Sequence, residues 1–230
     1  MPFESALIVG AGSGLSASLA RLFAANRLKV GLAARRTDKL AALCEETGAR
    51  AFACDAADPA AVDRLFAEHA QALGAPDLVV YNASGRVRGP ITELDPESVR
   101  TGIAVSAFGA FLVGRAAART MLEHRRGAIL FTGASASVKG FPQSSSFAMG
   151  KFAQRGLAQA MARELAPKNI HIAHFVIDGG IKAPGRETIG DQPDSMLDPD
   201  GIAQTYWAVA NQPRSAWTWE VELRPWVEKF

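Results

Sequence analysis

The stretch that most constrains the fold is residues 6–25, ALIVGAGSGLSASLARLFAA. Ala6–Val9 is a short apolar run with β-branched members, which predicts a strand buried on both faces. Glycines at positions 10, 12 and 14 end the strand, and apolar residues then recur at helical spacing, at Leu15, Leu19, Leu22 and Phe23. A strand, a glycine turn and a helix in this order direct free backbone N–H groups and the positive end of a helix dipole at a phosphate. We therefore expect a nucleotide site, against the alternative of a glycine-rich loop without a ligand.

The rest of the chain continues the alternation of strands and helices. Further strands are expected at Leu28–Ala33, Ala51–Cys54, Leu78–Tyr81, Ala128–Thr132, Ile170–Ile177 and Trp217–Leu223. Helices are expected over Asp38–Glu46, from Asp58 to Gly74, from Asp95 to about Glu123, from about Ser145 to Ala166, and from Asp198 onward. This pattern predicts a doubly wound α/β fold with a parallel sheet, in a single domain spanning residues 1–230. The irregular stretch at about 183–197 is expected to be a substrate lid or a disordered loop.

Composition narrows the class of protein. With 230 residues, 48% of them hydrophobic, and a formal charge of +2, the chain is expected to be soluble and globular. The first strand starts almost at the N-terminus, so we expect no signal peptide, and no apolar run is expected to span a bilayer. Cys44 and Cys54 lack metal-ligand spacing and the four histidines are scattered, so we expect no metal and a cytoplasmic location. The absence of a basic stripe with interleaved aromatic residues argues against nucleic-acid binding.

The residues after the second strand predict which dinucleotide binds. An acidic residue about 20 positions after the glycines would bind a free ribose 2′-hydroxyl, whereas an arginine accommodates a 2′-phosphate. This chain has Ala34, Arg35 and Arg36 there and is expected to have no acid nearby. Because Arg35 can offer two parallel donors to a phosphate, we predict NADP(H) in preference to NAD(H). The alternative is that both arginines lie on a solvated surface.

These motifs resemble those of the short-chain dehydrogenase/reductase family. Gly10 and Gly14 match the first two glycines of the family's turn, and Ser16 takes the place of the third. Asp55 resembles its acidic residue near the adenine and residues 82–85 resemble its Asn-Asn-Ala-Gly motif, although both can also be turn residues. The cofactor-binding residues that the resemblance implies are Gly10, Gly12, Ser13, Gly14, Leu15, Arg35, Arg36, Asp55, Asn82, Ala83, Ser84, Lys151, Gly179 and Ile181.

The resemblance is close from residue 127 onward, but the catalytic positions differ. The family transfers hydride between a carbonyl or alcohol and a nicotinamide, and a Tyr-x-x-x-Lys pair on one helix face supplies the proton. Phe147 takes the place of that tyrosine, while Lys151 is present. The family's serine falls on Ala134, next to Ser135, and its asparagine falls on Ser106.

Other groups are candidates for the missing proton donor. They are Ser135, the serines at 144–146, Asp178, which replaces the family's proline after the sixth strand, and a water held on Lys151. The serines can instead be helix caps and Asp178 can simply favour a turn. Lys151 is also expected to bind the nicotinamide ribose, and Phe147 to form an apolar wall. His171 and His174 are expected to be core residues.

Two functions remain open from the sequence. The first is an atypical NADP(H)-dependent oxidoreductase acting on a small molecule, such as an iminium or an activated double bond, whose reduction needs little help from a proton. The second is a nucleotide-binding protein without turnover, either a redox sensor or a companion subunit. The family resemblance implies a homodimer or homotetramer built on the helices near 96–123 and 145–166.

Overall fold

The computed structural model describes residues 3–183, 188 and 192–228. Seven strands form one parallel sheet in the order β3-β2-β1-β4-β5-β6-β7. The strands are β1 (Ser5–Val9), β2 (Lys29–Ala34), β3 (Arg50–Ala53), β4 (Leu78–Tyr81), β5 (Gly127–Thr132), β6 (Ile170–Ile177) and β7 (Glu220–Leu223). The order reverses between β1 and β4, and that is where an α/β sheet of this kind opens a crevice for ligands at the carboxyl ends of its strands.

Helices cover both faces of the sheet, as expected for parallel strands. They are α1 (Leu15–Ala25), α2 (Ala41–Thr47), α3 (Pro59–Leu73), α4 (Pro96–Ile103), α5 (Gly109–His124), α6 (Ser145–Leu165) and α7 (Pro199–Ala210). Helices α1 and α7 pack on one face, and α3, α5 and α6 pack on the other. The carboxylates of Asp58, Asp95 and Asp198 cap α3, α4 and α7, with proline at the first helical position, which confirms the three Asp-Pro starts.

Three sequence expectations need correction. The long helix expected from Asp95 to about Glu123 contains a π-helical turn, Ala104–Phe108, between α4 and α5. The helix expected over Asp38–Glu46 starts as a 3₁₀ turn and ends at Thr47, where Gly48 has a φ of 70°. The last strand starts at Glu220 rather than Trp217, because the backbone of Thr218 bonds to side chains instead of to β6: its N–H donates to Gln212 at 2.7 Å, and its carbonyl lies 2.8 Å from His171 Nε2. The other strand and helix ends agree within one residue.

The expected lid can be followed only in part. Residues 184–187 and 189–191 lie outside the described residues. Ser195 and Met196 are buried, and Leu197 pairs with Ile181 in a short parallel bridge. The end of the 183–197 stretch is therefore packed against the body of the protein.

One helical stretch contradicts the expectation that no apolar run could span a bilayer. Residues 96–124, which comprise α4, the π turn and α5, are long and apolar enough to cross a bilayer by length and composition. Half of the most apolar window is buried inside the fold, since α5 packs against α3 and α6. The core helix of a soluble protein has the same properties, so this helix is weak evidence for a membrane span.

Candidate functional site

The glycine turn is held against the loop after β4. The backbone N–H groups of Gly10 and Ala11 both donate to the Ala33 carbonyl, each at 2.9 Å. Gly10 has a φ of 86°, and a Cβ at this position would lie 2.3 Å from the backbone nitrogen of Ala83. Only glycine therefore lets these two loops come together.

The other two glycines leave space open at the start of α1. A Cβ on Gly12 or Gly14 would meet nothing within 4 Å. Gly14 is the residue before α1, where no side chain caps the helix and its first turn has no acidic residue. Ser13 is exposed and Leu15 is buried, so the helix start is anchored while its N–H groups remain available. An uncapped helix N-terminus beside an open space is suited to a phosphate, so these residues fit the group that the sequence predicts.

Ser16 has a role that the sequence did not reveal. Its hydroxyl accepts a hydrogen bond from the Asn82 amide at 2.7 Å and donates to the Gly10 carbonyl at 3.2 Å. The family's third glycine would have no such hydroxyl. The serine therefore ties the glycine turn to the end of β4, and the backbone of Asn82 completes this link by donating to Val9 at 2.8 Å.

A cleft of about 900 Å³, which we call the Arg35 cleft, opens at the carboxyl ends of β1, β2, β3 and β4. Its lining includes Gly10, Ala11, Arg35, Arg36, Lys39, Asp55, Asn82, Ala83 and Ser84. The lining does not include Gly12, Ser13, Gly14 or Leu15, which belong to the turn beside it. The spacing after the glycines predicted Arg35 and Arg36. It did not predict Lys39, which reaches the cleft because the chain turns at Asp38–Leu40.

The two arginines of this cleft differ in their partners. Arg36 pairs with Asp38 at 2.9 Å, so the expectation that no acid lies nearby is wrong for Arg36. Both side chains of that pair are more than half exposed. Arg35 is exposed and makes no ion pair with any residue in the described part of the chain. Asp55 accepts a hydrogen bond from the Ala57 N–H at 3.0 Å, so it forms a turn and also lines the cleft.

A second cleft of about 510 Å³, the Lys151 cleft, lies at the ends of β4, β5 and β6. Lys151 projects from α6, and its ammonium donates to the Thr132 carbonyl at 2.6 Å and to the Gln154 side chain at 3.1 Å. The side chain is only 2% exposed, and burial lowers the pKa of Lys151 to about 7. A lysine in this state exchanges a proton near neutral pH, unlike an ordinary surface lysine.

Phe147 lies one helical turn before Lys151 and also lines this cleft. The Lys151 ammonium lies 5.9 Å from the centre of the Phe147 ring. The guanidinium carbon of Arg86, from the loop after β4, lies 4.8 Å from the same centre. Phe147 therefore forms an apolar wall of the Lys151 cleft and has two cations within cation–π distance of its ring.

Ser106 lies in the π turn and holds the loop after β4. Its hydroxyl accepts from the Gly85 N–H at 2.9 Å and donates to the Gly85 carbonyl at 3.3 Å. A Cβ on Gly150 of α6 would lie 2.6 Å from the Ser106 Cβ, so the turn and α6 are in close contact. Ser106 is fully buried, and its described hydrogen bonds are both to backbone atoms.

Ser135 and Asp178 form a polar cluster at the edge of the Lys151 cleft. Asp178 is 3% exposed, and its carboxylate lies 3.2 Å from the Lys139 ammonium and 3.2 Å from the Arg224 guanidinium. Burial alone would raise the pKa of Asp178, but the hydrogen bond from Ser135 and the two cations outweigh it and lower that pKa. Asp178 is thus a carboxylate at neutral pH and has no proton to donate.

The remaining candidate residues from the sequence differ in whether they line the Lys151 cleft. Ser144 is buried and lines the Lys151 cleft, while the buried Ser146 hydroxyl has no hydrogen-bond partner among the described residues. Gly179 and Ile181, expected at the cofactor, line the same cleft. No group of three or more histidine, cysteine or acidic residues in the described ranges is arranged to hold a metal.

The two histidines expected in the core are buried in β6. The Nδ1 of His174 lies 3.0 Å from the Glu220 carboxylate, and burial lowers the pKa of His174 to about 4. Glu220 also receives two hydrogen bonds from Arg155, at 2.6 and 2.7 Å. His174 is therefore a neutral partner of a structural ion pair.

Comparison with known proteins connects this geometry to a family. Residues 4–194 match the sequence profile of the short chain dehydrogenases. The chain belongs to this family. A short-chain dehydrogenase of Rhodopseudomonas palustris is 35% identical, with a TM-score of 0.83, over 97% of this chain and 99% of that one. A metagenomic short-chain oxidoreductase in complex with NADP is 26% identical, with a TM-score of 0.83, over 96% and 97%.

A curated relative extends the comparison. The short-chain dehydrogenase/reductase eriH of Hericium erinaceus is 31% identical over 203 residues, which is 84% of this chain and 79% of that protein. As a short-chain dehydrogenase, the chain is an oxidoreductase that uses a nicotinamide dinucleotide and acts on a small molecule. Phe147 and Lys151 both lie on α6, one helical turn apart.

Proposed function

We propose that this short-chain dehydrogenase is an atypical NADP(H)-dependent oxidoreductase, which transfers hydride to or from a small organic substrate without a catalytic tyrosine. The observation that carries the proposal is Arg35, an exposed guanidinium without an ion pair in the described chain, at the end of β2 and in the Arg35 cleft. Arg36 and Lys39 add positive charge to the same cleft, which favours the additional phosphate of NADP(H).

The glycine turn supplies the rest of the dinucleotide site. The open faces of Gly12 and Gly14 and the uncapped start of α1 would receive the pyrophosphate. Asp55, Ala83 and Ser84 would line the adenosine half of the site. The nicotinamide, when bound, supplies or takes up the hydride.

We assign to Lys151 the role of supplying the proton to the substrate. Asp178 is held ionised by its two cations, and Ser135 hydrogen-bonds to Asp178, so neither is available as an acid. Lys151 lines the cleft, and burial brings its pKa to about 7. Its ammonium would bind the nicotinamide ribose and pass a proton to the substrate through water. Phe147 excludes water from one wall of the cleft, and Ser106 holds the loop after β4 in place.

Substrates whose reduction requires little proton transfer suit this site best. Loss of a positioned acid typically costs 10²–10⁴-fold in rate. An iminium or an activated double bond avoids most of that loss, because the hydride acceptor is already positive or conjugated. The second candidate function is a redox sensor or companion subunit that binds NADP(H) without turnover. Its one support is the absence of a hydroxyl at position 147, and the likeness to oxidoreductases does not favour it.

We also propose that the protein is a homodimer or homotetramer through α5 and α6. Apolar side chains on these helices and the adjoining π turn are 42–49% exposed, at Phe108, Phe111, Met149 and Phe152. Covering exposed apolar side chains of this size is a usual role of a subunit interface. Light scattering of the parent and of Phe111→Glu measures the assembly, and a parent that runs as a monomer contradicts the proposal.

Calorimetry with NADPH and NADH tests the proposed cofactor. The parent is expected to bind NADPH more tightly, and Arg35→Ala is expected to reduce that preference about tenfold or more, because a charge-assisted contact is lost. Arg36→Ala is the matched control, with a smaller effect because Asp38 already pairs with Arg36. Equal affinities for the two nucleotides in the parent would refute the assignment.

A further inference from the structure

Gln154 lies one helical turn after Lys151 on α6, and its side chain holds the Lys151 ammonium. The Gln154 Oε1 accepts a hydrogen bond from Nζ at 3.1 Å, while the Thr132 carbonyl accepts another at 2.6 Å. A spacing of three residues places both side chains on the same face of the helix. Gln154 is fully buried, so solvent does not compete for this contact.

The other end of the same amide has no partner. The Nε2 atom of Gln154 is buried and makes no hydrogen bond with any residue that the structure describes. A buried donor without a partner is unfavourable, and buried amides are usually satisfied at both ends. A methionine would fill a similar space without that cost, so the polar group at this position requires an explanation.

Both acceptors of the Lys151 ammonium are neutral oxygens. No aspartate or glutamate in the described ranges forms an ion pair with Lys151, and Glu220, on the neighbouring β7, is bound by Arg155 instead. A buried lysine with neutral partners can lose its proton, whereas a carboxylate at the same distance would keep it charged. The pKa of Lys151, which burial lowers to about 7, agrees with these surroundings.

Other charged or titratable groups come from the elements around this part of α6. His174 of β6 is buried, and burial lowers its pKa to about 4, so it is neutral near pH 7. Arg86, from the loop after β4, lies over the Phe147 ring. The residue after β6 is an acid paired with two cations; the three are Asp178, Lys139 and Arg224. Among the described side chains, the one hydrogen-bonded to the Lys151 ammonium is Gln154.

An amide can serve both protonation states of an amine. Its carbonyl oxygen accepts from an ammonium, and its N–H₂ group donates to the lone pair of a neutral amine. When Lys151 supplies a proton in reduction, an N–H bond of Nζ breaks and its electron pair stays on the nitrogen. The last torsion of a glutamine is broad and roughly twofold, so the amide can turn Nε2 towards that lone pair.

We propose that Gln154 is a positioning residue that holds Lys151 both as ammonium and as amine, by turning its amide from oxygen to nitrogen as the proton leaves. The inference rests on the proposed function, because it concerns the lysine to which we assign the proton. A glutamate at position 154 would favour the ammonium alone, and a methionine would bind neither form. Glutamine therefore lets the buried lysine pass between the two states.

NMR titration of Lys151 tests the proposal without a substrate. In protein with ¹³C-labelled lysines, the Lys151 signal is the one lost in Lys151→Arg. Gln154→Glu is expected to raise the midpoint of its titration by about one to three pH units, and Gln154→Met to lower it by about one or more. Gln159→Glu is the matched control, because it adds the same charge about 12 Å further along α6 and should move the midpoint far less. An unchanged midpoint in both position-154 variants overturns the proposal.

The amide of the parent protein gives a second measurement. The side-chain N–H₂ signals of Gln154, identified in ¹⁵N-labelled protein by their loss in Gln154→Met, should titrate with the same midpoint as Lys151. One of these protons should move downfield as the pH rises, since Nε2 then gains an acceptor. Signals that stay constant, or move upfield, contradict the reversal of the amide. If Gln154→Glu fails to fold in urea-unfolding controls, Gln154→Met and these signals decide the question.

Kinetics separates this proposal from the proposed function. With ethyl pyruvate, an activated ketone, the pH at which NADPH-dependent reduction falls should move in each variant together with the NMR midpoint. Absence of NADPH binding by the parent refutes the proposed function and leaves the NMR result for Gln154 standing on its own. A profile that falls in the parent but keeps its position in both position-154 variants contradicts the role of Gln154 alone.

Discussion

The ammonium of Lys151 lies 5.9 Å from the centre of the Phe147 ring, within one turn of α6. The pair keeps the spacing of the family's tyrosine and lysine but has no hydroxyl. The same ammonium donates to the Thr132 carbonyl, so its position is set by the end of β5 rather than by a phenol. Restoring the phenol is the most direct test of what this site can do.

Phe147→Tyr is expected to raise the reduction of simple ketones by up to about 10²–10⁴-fold, which is what a positioned acid supplies. The two cations near the ring, Lys151 and Arg86, should lower the pKa of the new phenol below its usual value of about 10. Ala134→Ser in the same protein would add the second donor to the carbonyl. NADPH consumption over a panel of ketones and imines measures the gain.

The matched control for this experiment is Phe141→Tyr. Phe141 lines the same cleft, and the Lys139 ammonium lies 5.9 Å from its ring centre, so the new phenol also faces a lysine. It should not raise activity, because Phe141 is in the segment before α6 and not beside Lys151. If parent, single and double variants are all inactive while NADPH binds, the binding-only function is the correct one.

The rate of reduction should depend on pH through the protonation of Lys151. Its ammonium is the acid form, so reduction is expected to be fastest below a pH of about 7 and to fall as the pH rises and the proton is lost. The neighbouring His174, whose pKa is about 4, is neutral throughout and cannot produce this decrease. Profiles of kcat at saturating NADPH should show the decrease in the parent. Lys151→Arg keeps its charge, and a decrease that persists in it would assign the titration to another group.

The three glycines of the turn should respond differently to substitution. Gly12→Val and Gly14→Val are expected to fold normally and to lose NADPH binding, because a side chain there would fill the phosphate space. Gly10→Ala is expected to destabilise the fold by about 2–5 kcal/mol, since its Cβ would overlap Ala83 at a positive φ. Urea unfolding and calorimetry separate the two effects. Normal NADPH binding by either valine variant would place the phosphates elsewhere.

Asp178 should contribute stability that depends on pH. Its pKa is lower in the folded protein than the value of about 3.9 expected when unfolded, so the contribution is complete above that pH and disappears as the pH falls through the folded pKa. Asp178→Asn is expected to cost about 1–3 kcal/mol at pH 7 and less at pH 3. Urea unfolding at both pH values checks this. Asp38→Asn, which alters an exposed ion pair, is the control and should change little; an equal loss from both variants would contradict the argument.

Most of the fold could be predicted from local sequence. The apolar runs of β4 and β6 and the Asp-Pro starts of α3, α4 and α7 predict those element ends to within a residue. The π turn could not be predicted, because its residues Ala104–Phe108 have ordinary helical composition. The turn forms where Ser106 bonds to Gly85 and packs on α6, and these contacts are distant in sequence.

Residues of the candidate site could be predicted from the sequence where they belong to a short motif with fixed spacing. The glycine turn, Arg35 and Lys151 follow from spacing. The pairing of Asp178 with Lys139 and Arg224, and the position of Arg86 over Phe147, depend on loops that meet only in the folded chain. The roles of Ser16 and Lys39 were missed for the same reason. The assignments of individual site residues stay predictions.

The π turn between α4 and α5 has a consequence for insertions and deletions. A π turn contains one residue more than the same helical rise needs, and each residue in an α-helix advances the direction of its side chains by about 100°. Removing one residue from 104–108 would therefore leave a regular helix in which α5 keeps its direction relative to α4, because the turn already absorbs the extra residue. Removing one residue from the regular part of α5 would instead rotate every later side chain by about 100°. The cost of a deletion at 104–108 would be local, because Ser106 and its hydrogen bonds to Gly85 lie within the turn. A single deletion is therefore expected to be better tolerated in this turn than in the α-helices on either side of it.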